Sequence, residues 1–581
     1  MDPDELLRVR DHMRARGPDG AGAWVASDRR IGLGHRRLAI IDLSAKGAQP
    51  MASADGKLVI SFNGEIYNYR QLRAALEAEG RVFVSDSDTE VLLHLYASKG
   101  IAMLADLRGM FAFALWESER GRLVLARDPF GIKPLYYADD RRSFRAASQV
   151  KALLQGTVDT EPEPAGQVGF LLWGSVPEPW TLYRGIRSLP AGHWLMVDAN
   201  GVGDPVAWCT IGSVLANAAA TPSNLSRVEA IHSVAEAIKD SVRAHQLADV
   251  PVGAFLSAGI DSGMIADIIA APGSRPHLLT LGFAEYLGSH EDEVPRAEEL
   301  ARSLDAWQRT EIISRSDFAK QREPLLAAMD QPSIDGVNVW FVARAAAGMQ
   351  LKAAMSGLGG DELFACYPSF WQLPRLLRFA RPLRKLPRLG IGFRRLASKL
   401  APPLPIKLAG LLEYSRDLGS AYLLRRCLHA PWELPALLGR ELTELGLERL
   451  HTEAMLSHTI AGNPSERLRI SALECSWYMQ NQLLRDADWA GMAQSLEIRL
   501  PLADIELLRR SAPIFAAHPD IRKTELAAVA APRLPRRWLH RRKTGFSTPL
   551  RDWVASGPSA RRRRGLRDWA WFLFQQQGIR H

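Results

Sequence analysis

The chain holds 581 residues, 47% hydrophobic and 24% charged, with a formal net charge of +9. That is too long for one ordinary core and is composed like a globular protein, so two or more domains are expected. No apolar run approaches the ~18 residues of a membrane helix, the start Met1-Asp2-Pro3-Asp4-Glu5 lacks signal-peptide character, and the four cysteines (Cys209, Cys366, Cys427, Cys475) show no metal or disulfide spacing, which together point to a reducing cytoplasm.

Residues 1–200 read as β-rich. Apolar runs such as Leu58–Phe62, Phe111–Trp116 and Leu123–Ala126 are separated by Gly, Asn and Asp turns. Helices are expected over Tyr69–Glu79 and near Asp88–Ser98, giving a sheet sandwich with helices outside. Four segments carry unusual polar density: Arg16–Gly20, His35–Asp42, Asn63–Asn68 and Ser87–Glu90. Arg37 suits a carboxylate, Glu65 and Asp88 suit an ammonium, and Asn63 with the Gly64 N–H suits a developing oxyanion. Singly, these are a surface charge, a helix cap and a hairpin turn. Together they describe a pocket for an amino acid whose side-chain amide is attacked.

Residues 201–225 read as a linker, and Ser226 as the cap of a helix with Ile231, Val234, Ile238 and Val242 on one face. The run Val250–Phe255 then enters the turn Leu256-Ser257-Ala258-Gly259-Ile260-Asp261-Ser262-Gly263, followed by a helical stretch. Backbone N–H groups in such a turn cradle an anion, and an acid beside them holds a metal on it. The loop therefore reads as a cradle for a magnesium-bound polyphosphate. It resembles the Ser-Gly-Gly-x-Asp-Ser loop of the N-type ATP pyrophosphatases, with Ala258 in place of a glycine. Leu278–Phe283 is a second buried strand, and Leu351–Phe364 repeats the strand–turn–acid pattern with Ser356, Gly357 and Asp361. Alternating strands and helices imply a doubly wound parallel sheet, with the turns gathered at one end. Asp261 and Asp361 would then share magnesium. The last third reads as helical. The basic clusters Arg375–Lys399 and Arg561–Arg564 lack interleaved aromatics and read as solvated faces, not nucleic-acid sites.

Several motifs resemble the glutaminase domain of the asparagine synthetase B family: Arg-Gly-Pro-Asp (16–19), His-x-Arg-Leu-x-Ile-x-Asp (35–42), Asn-Gly-Glu-Ile-Tyr-Asn (63–68), Gly-Met-Phe-Ala-Phe-Ala (109–114), Ala-Arg-Asp-Pro-Phe-Gly-Ile-Lys-Pro-Leu-Tyr-Tyr (126–137) and Leu-Pro-Ala-Gly (189–192). The segments 479–502 and 542–549 resemble its synthetase domain. The resemblance implies an α/β chain: an N-terminal-nucleophile-type β-sandwich glutaminase over 1–200, then an ATP-pyrophosphatase domain (adenine nucleotide α-hydrolase-like) over 226–581 with a helical C-terminal part. It implies a carbon–nitrogen ligase using glutamine or ammonia, ATP and magnesium to amidate aspartate through an acyl-adenylate, releasing AMP and pyrophosphate. Leu256, Ser257, Gly259, Ser262, Leu281, Ser356 and Gly357 would line the ATP site. Lys523 matches the lysine that balances phosphate charge, beside catalytic Asp261 and Asp361.

Two departures qualify the resemblance. The family's attacking cysteine stands at the mature N-terminus, whereas no cysteine precedes Cys209 here, so a start further upstream is expected. Leu358 replaces the glutamate that usually follows Ser-Gly and serves the attack of ammonia. Either Glu362 or Asp330 substitutes, or the acceptor is another carboxylate, such as a sugar acid of a surface polymer or a biosynthetic intermediate. A non-catalytic binding protein with a dead glutaminase is the further alternative. Partners are expected to be small molecules, with no nucleic acid and no membrane span, and with a homodimer left open.

Overall fold

The computed structural model describes residues 1–270, 274–380, 390–394, 406–539, 548–554 and 565–576. The motif residues 542–547, the cluster Arg561–Arg564 and much of Arg375–Lys399 lie outside the described residues.

The N-terminal region is built on an antiparallel sheet in the order Gly201–Val202, His193–Asp198, Arg122–Arg127, Gly109–Glu117, Leu58–Ile66, Met51–Ala52. Alternation along its strands separates two apolar faces. Ile60, Phe62, Phe111, Phe113 and Leu115 bury one face beside residues of the helices Tyr69–Ala78 and Asp88–Lys99. Val59, Ala112, Leu125 and Leu195 bury the other beside Leu33 of the hairpin Gly20–Val25/Gly32–Arg37. The sandwich with outer helices follows from that two-sided burial. The first helix, Pro3–His12, packs on the second hairpin strand.

Residues 201–225 depart from the linker reading. Two short strands, Gly201–Val202 and Val206–Ala207, pair with His193–Asp198, and Ile211–Ala220 is a helix capped by Thr210. Ile211, Leu215, Ala218 and Ala219 are buried in the large core cluster, so tertiary packing orders a stretch whose Ala/Ser/Asn composition signals little by itself.

Ser226 caps the helix Arg227–His245 through a capping box with Glu229. The chain then lays down five parallel strands in the order Trp307–Ile313, His277–Phe283, Val252–Phe255, Ala353–Met355, Glu497–Arg499. The first strand laid down is central; the next two extend one edge and the last two the other. The reversal falls between Val252–Phe255 and Ala353–Met355, where a doubly wound sheet leaves its ligand crevice. The remainder is helical and includes a π-helical stretch, Glu474–Leu484. Among the described residues no helix is long and apolar enough to cross a membrane.

Candidate active site

The turns after the two central strands meet at the reversal. Asp261 lies in the first turn of the helix Ile260–Ile269 and Asp361 in that of Gly360–Leu363. Lys523, at the start of Lys523–Ala530, reaches between them: its Nζ donates to Asp261 Oδ2 at 2.6 Å and to Asp361 Oδ1 at 2.7 Å. The ammonium is buried, 8% exposed. Burial weighs against its charge, yet Asp261, Cys366 and Asp361 together hold its pKa above the ordinary lysine value.

Glycines set this approach. A Cβ on Gly357 would stand 2.9 Å from Asp261 Cβ and 3.1 Å from the Ser262 nitrogen, and one on Gly360 would stand 2.5 Å from Asp261 Oδ1. The first turn is braced internally: Ser262 Oγ accepts the Ser257 N–H at 3.1 Å, and Ser257 Oγ accepts the Gly259 N–H at 3.1 Å. Ala258 is buried and has no positive φ, so the missing glycine costs no left-handed strain there. Leu256 and Leu281 are buried beneath, with the Leu256 N–H donating to the Leu279 carbonyl, and Ser356 N–H donates to the Arg499 carbonyl at 2.9 Å. The donor set fits magnesium, which takes one or two carboxylates and completes its shell with phosphate oxygens and water. Among the described residues no cluster of three or more His, Cys, Asp or Glu forms a metal cage.

The two acids weighed as substitutes for a glutamate at 358 sit differently. Glu362 is 1% exposed and accepts the Tyr367 hydroxyl at 2.8 Å; burial, then the charge of Asp361, pushes its carboxyl up to about 7. Asp330 accepts the N–H groups of Val150 and Lys151, both at 2.9 Å, and so caps the helix Val150–Leu153 of the other half. Leu358 packs against the core as an apolar side chain.

The second site is a cavity of about 570 Å³ lined by Arg37, Asn63, Gly64, Glu65 and Asp88, with Met492 and Glu497 from the far half of the chain. Among the described residues no cysteine lines it. Gly64 has φ +150°, and a Cβ there would lie 2.1 Å from the Met110 carbonyl oxygen, so only glycine fits. Arg37 donates to the carbonyls of Ser44 (2.9 Å), Ile41 (3.2 Å) and Asp42, which orders the loop at the rim. Asn63 Nδ2 lies 3.5 Å from Ser148 Oγ. Asp88 accepts the Ile66 N–H at 3.0 Å, and burial pushes its carboxyl up to about 6.

A buried ionic cluster closes the floor. Arg499 Nη2 lies 3.3 Å from Glu65 Oε1, its Nε donates to Glu497 Oε1 at 3.0 Å, and Lys133 Nζ donates to Glu497 Oε2 at 3.0 Å. Sequence reasoning assigned no role to Lys133, Glu497 or Arg499. The available signal was charge inside apolar runs, as in Leu496-Glu497-Ile498-Arg499-Leu500.

Comparison with known proteins finds similarity over both halves of the chain. The glutamine amidotransferase domain family matches residues 1–208 and the asparagine synthase family residues 233–571. A Mycobacterium bovis protein provisionally named asparagine synthetase (glutamine-hydrolysing) is 34% identical over 573 residues, 95% of this chain and 85% of that one. The chain belongs to the glutamine-hydrolysing asparagine synthetase family. Within it, asparagine synthetase 1 of Bacillus subtilis is 32% identical over 576 residues, again 95% of this chain and 85% of the relative. Amidase chry2 of Gibberella zeae is 30% identical over 393 residues, 63% of this chain and 56% of that protein.

Proposed function

We propose that this asparagine synthetase-family chain is an ATP-dependent amidotransferase that activates a carboxylate as its acyl-adenylate and lets ammonia displace AMP. The observation that carries the reading is Lys523 held between Asp261 and Asp361 at the sheet reversal. Two carboxylates and one ammonium converge where a polyphosphate would lie beside the N–H groups of the 256–263 turn. When ATP enters, the acids are the groups to hold magnesium, which supplies charge neutralisation on the leaving pyrophosphate. Lys523 then turns its charge to the phosphates. Leu256 and Leu281 give the base an apolar wall, and the Ser262–Ser257 bonds keep the cradle shaped before ligand arrives.

The cavity over Glu65 and Asp88 takes glutamine in this reading, with its α-ammonium on the acids and its carboxylate toward Arg37. Aspartate is the leading acceptor. A second reading, amidation of another carboxylate, is favoured by Leu358, which can neither accept a proton nor orient ammonia.

The test is ATP–pyrophosphate exchange. Asp261→Asn is expected to lower exchange by two orders of magnitude or more, on the order of 3 kcal/mol of transition-state stabilisation, in a protein that melts normally. Near-normal exchange in a folded variant refutes the site. Product analysis with aspartate, ATP and ammonia separates the acceptors. Asparagine formed at ordinary turnover selects aspartate, whereas neither exchange nor asparagine with aspartate, and exchange restored by a different carboxylate, selects that carboxylate as the acceptor.

A further inference from the structure

Arg499 contacts residues of both sites at once. Its side chain, 0% exposed, reaches Glu65 and Glu497 and donates Nη1 to the carbonyls of His245 (2.9 Å) and Leu247 (2.6 Å). Its own carbonyl accepts the N–H of Ser356, the first residue of the turn that carries Gly357 and Asp361. Its strand pairs in parallel with Ala353–Met355, which leads straight into that turn. No other contact described above spans the floor of the cavity and the nucleotide turn within one residue.

The charges on this floor balance in two ways. Glu65 is buried, and its Oε2, on a residue lining the cavity, has no hydrogen-bond partner among the described residues. Burial pushes its carboxyl well above the ordinary value; Arg499 and Lys133 pull it down, while Glu497 and Asp88 push it up. With Glu65 protonated, Glu497 and Asp88 face Arg499 and Lys133, two charges against two. A ligand ammonium at Oε2 adds a third cation and favours the ionised Glu65, which restores balance as three against three. The carboxyl proton passes to solvent. Arg499 then gains a full ionic partner, and its backbone is held more firmly.

We propose that Arg499 is a positioning residue shared by the two pockets, through which an α-ammonium ligand on Glu65 and a nucleotide at the 356–361 turn each tighten the other. The inference rests on the reading above that the cavity takes glutamine and the turn takes ATP. Ordering Arg499 once serves both ligands, so the second ligand meets less freedom to lose. Linkage makes the effect reciprocal.

Calorimetric titration of the 581-residue chain tests it, with glutamine and a non-hydrolysable ATP analogue plus magnesium, each alone and in the presence of the other. The expected result is a mutual tightening of about fivefold, with protons released as glutamine binds, read from the dependence of heat on buffer. In Arg499→Lys the charge stays but the fork is lost, and the tightening should fall toward onefold at ligand levels raised until the curves saturate. Glu65→Gln, which keeps the side-chain shape, should remove both the tightening and the proton release, and it decides the matter if the lysine variant does not fold. A wild-type chain that binds both ligands with no mutual effect overturns the proposal. So does tightening that survives in both variants. Failure to bind either ligand overturns the functional reading and takes the proposal with it.

Discussion

Gly360 shows how one hydrogen atom governs the site around Asp261 and Asp361. Its missing side chain leaves room for Asp261 Oδ1, which a methyl group would meet at 2.5 Å. Gly360→Ala is therefore expected to displace the Asp261 carboxylate and to lower ATP–pyrophosphate exchange at least tenfold. The apparent melting temperature should move by only a few degrees, since alanine is the better helix former at a residue opening a helix. Exchange at the wild-type rate would show that Asp261 has slack in its position. The acids of this site were legible because each closes a strand–turn–helix pattern. Lys523 was reached only through family resemblance, since a lysine 162 residues from Asp361 and 262 from Asp261 leaves no local mark of its partners.

At the scale of elements, the Arg16–Asp19 turn is the clamp between the halves. Arg16 donates to both carboxylate oxygens of Asp488 at 2.6 and 2.9 Å, Ser495 Oγ donates to the Ala15 carbonyl, and Lys352 Nζ donates to Asp19 Oδ2 at 2.8 Å. Both members of the Arg16–Asp488 pair are buried, at 7% and 6% side-chain exposure. Arg16→Met strands Asp488 without its partner and should destabilise the protein by about 3 kcal/mol. Adding Asp488→Leu should recover much of that. Urea unfolding midpoints of the single and double variants check both statements. From sequence this turn read as part of an amino-acid pocket, and Arg16 does line the cavity while its guanidinium is bound to Asp488. The strands Leu58–Ile66, Gly109–Glu117, Arg122–Arg127, Val252–Phe255 and His277–Phe283 and the helices Tyr69–Ala78, Asp88–Lys99 and Arg227–His245 were legible from local pattern. The helix Ile211–Ala220 was not, because its order comes from the core it packs into and not from its own residues.

Across the whole molecule, two buried groups pull acid stability in opposite directions. His245, its ring tilted against that of Tyr67 with centroids 3.9 Å apart, has its pKa lowered by burial to about 4, whereas burial raises that of Asp88 to about 6. Between the unfolded histidine value of ~6.5 and the folded one, the unfolded chain binds a proton that folded His245 refuses, so stability falls as pH falls. Asp88 does the reverse: stability it withholds at neutral pH returns as pH drops through its folded value toward ~4. His245→Gln should thus flatten the loss of melting temperature from neutrality to about pH 4.5, and Asp88→Asn should steepen it. Variants whose slopes match wild type would place neither group in the acid response. The floor of the cavity over Glu65 and Asp88 carries a consequence for protein engineering. Met492 and Glu497 belong to its wall, and Lys133 has its carboxylate partner on a strand of the other sheet. Cutting the gene after residue 208 would therefore yield a half with an open-bottomed pocket and unneutralised lysine. A chimaera that borrows this N-terminal module must carry the 497–499 strand with it, so the portable unit is discontinuous in sequence.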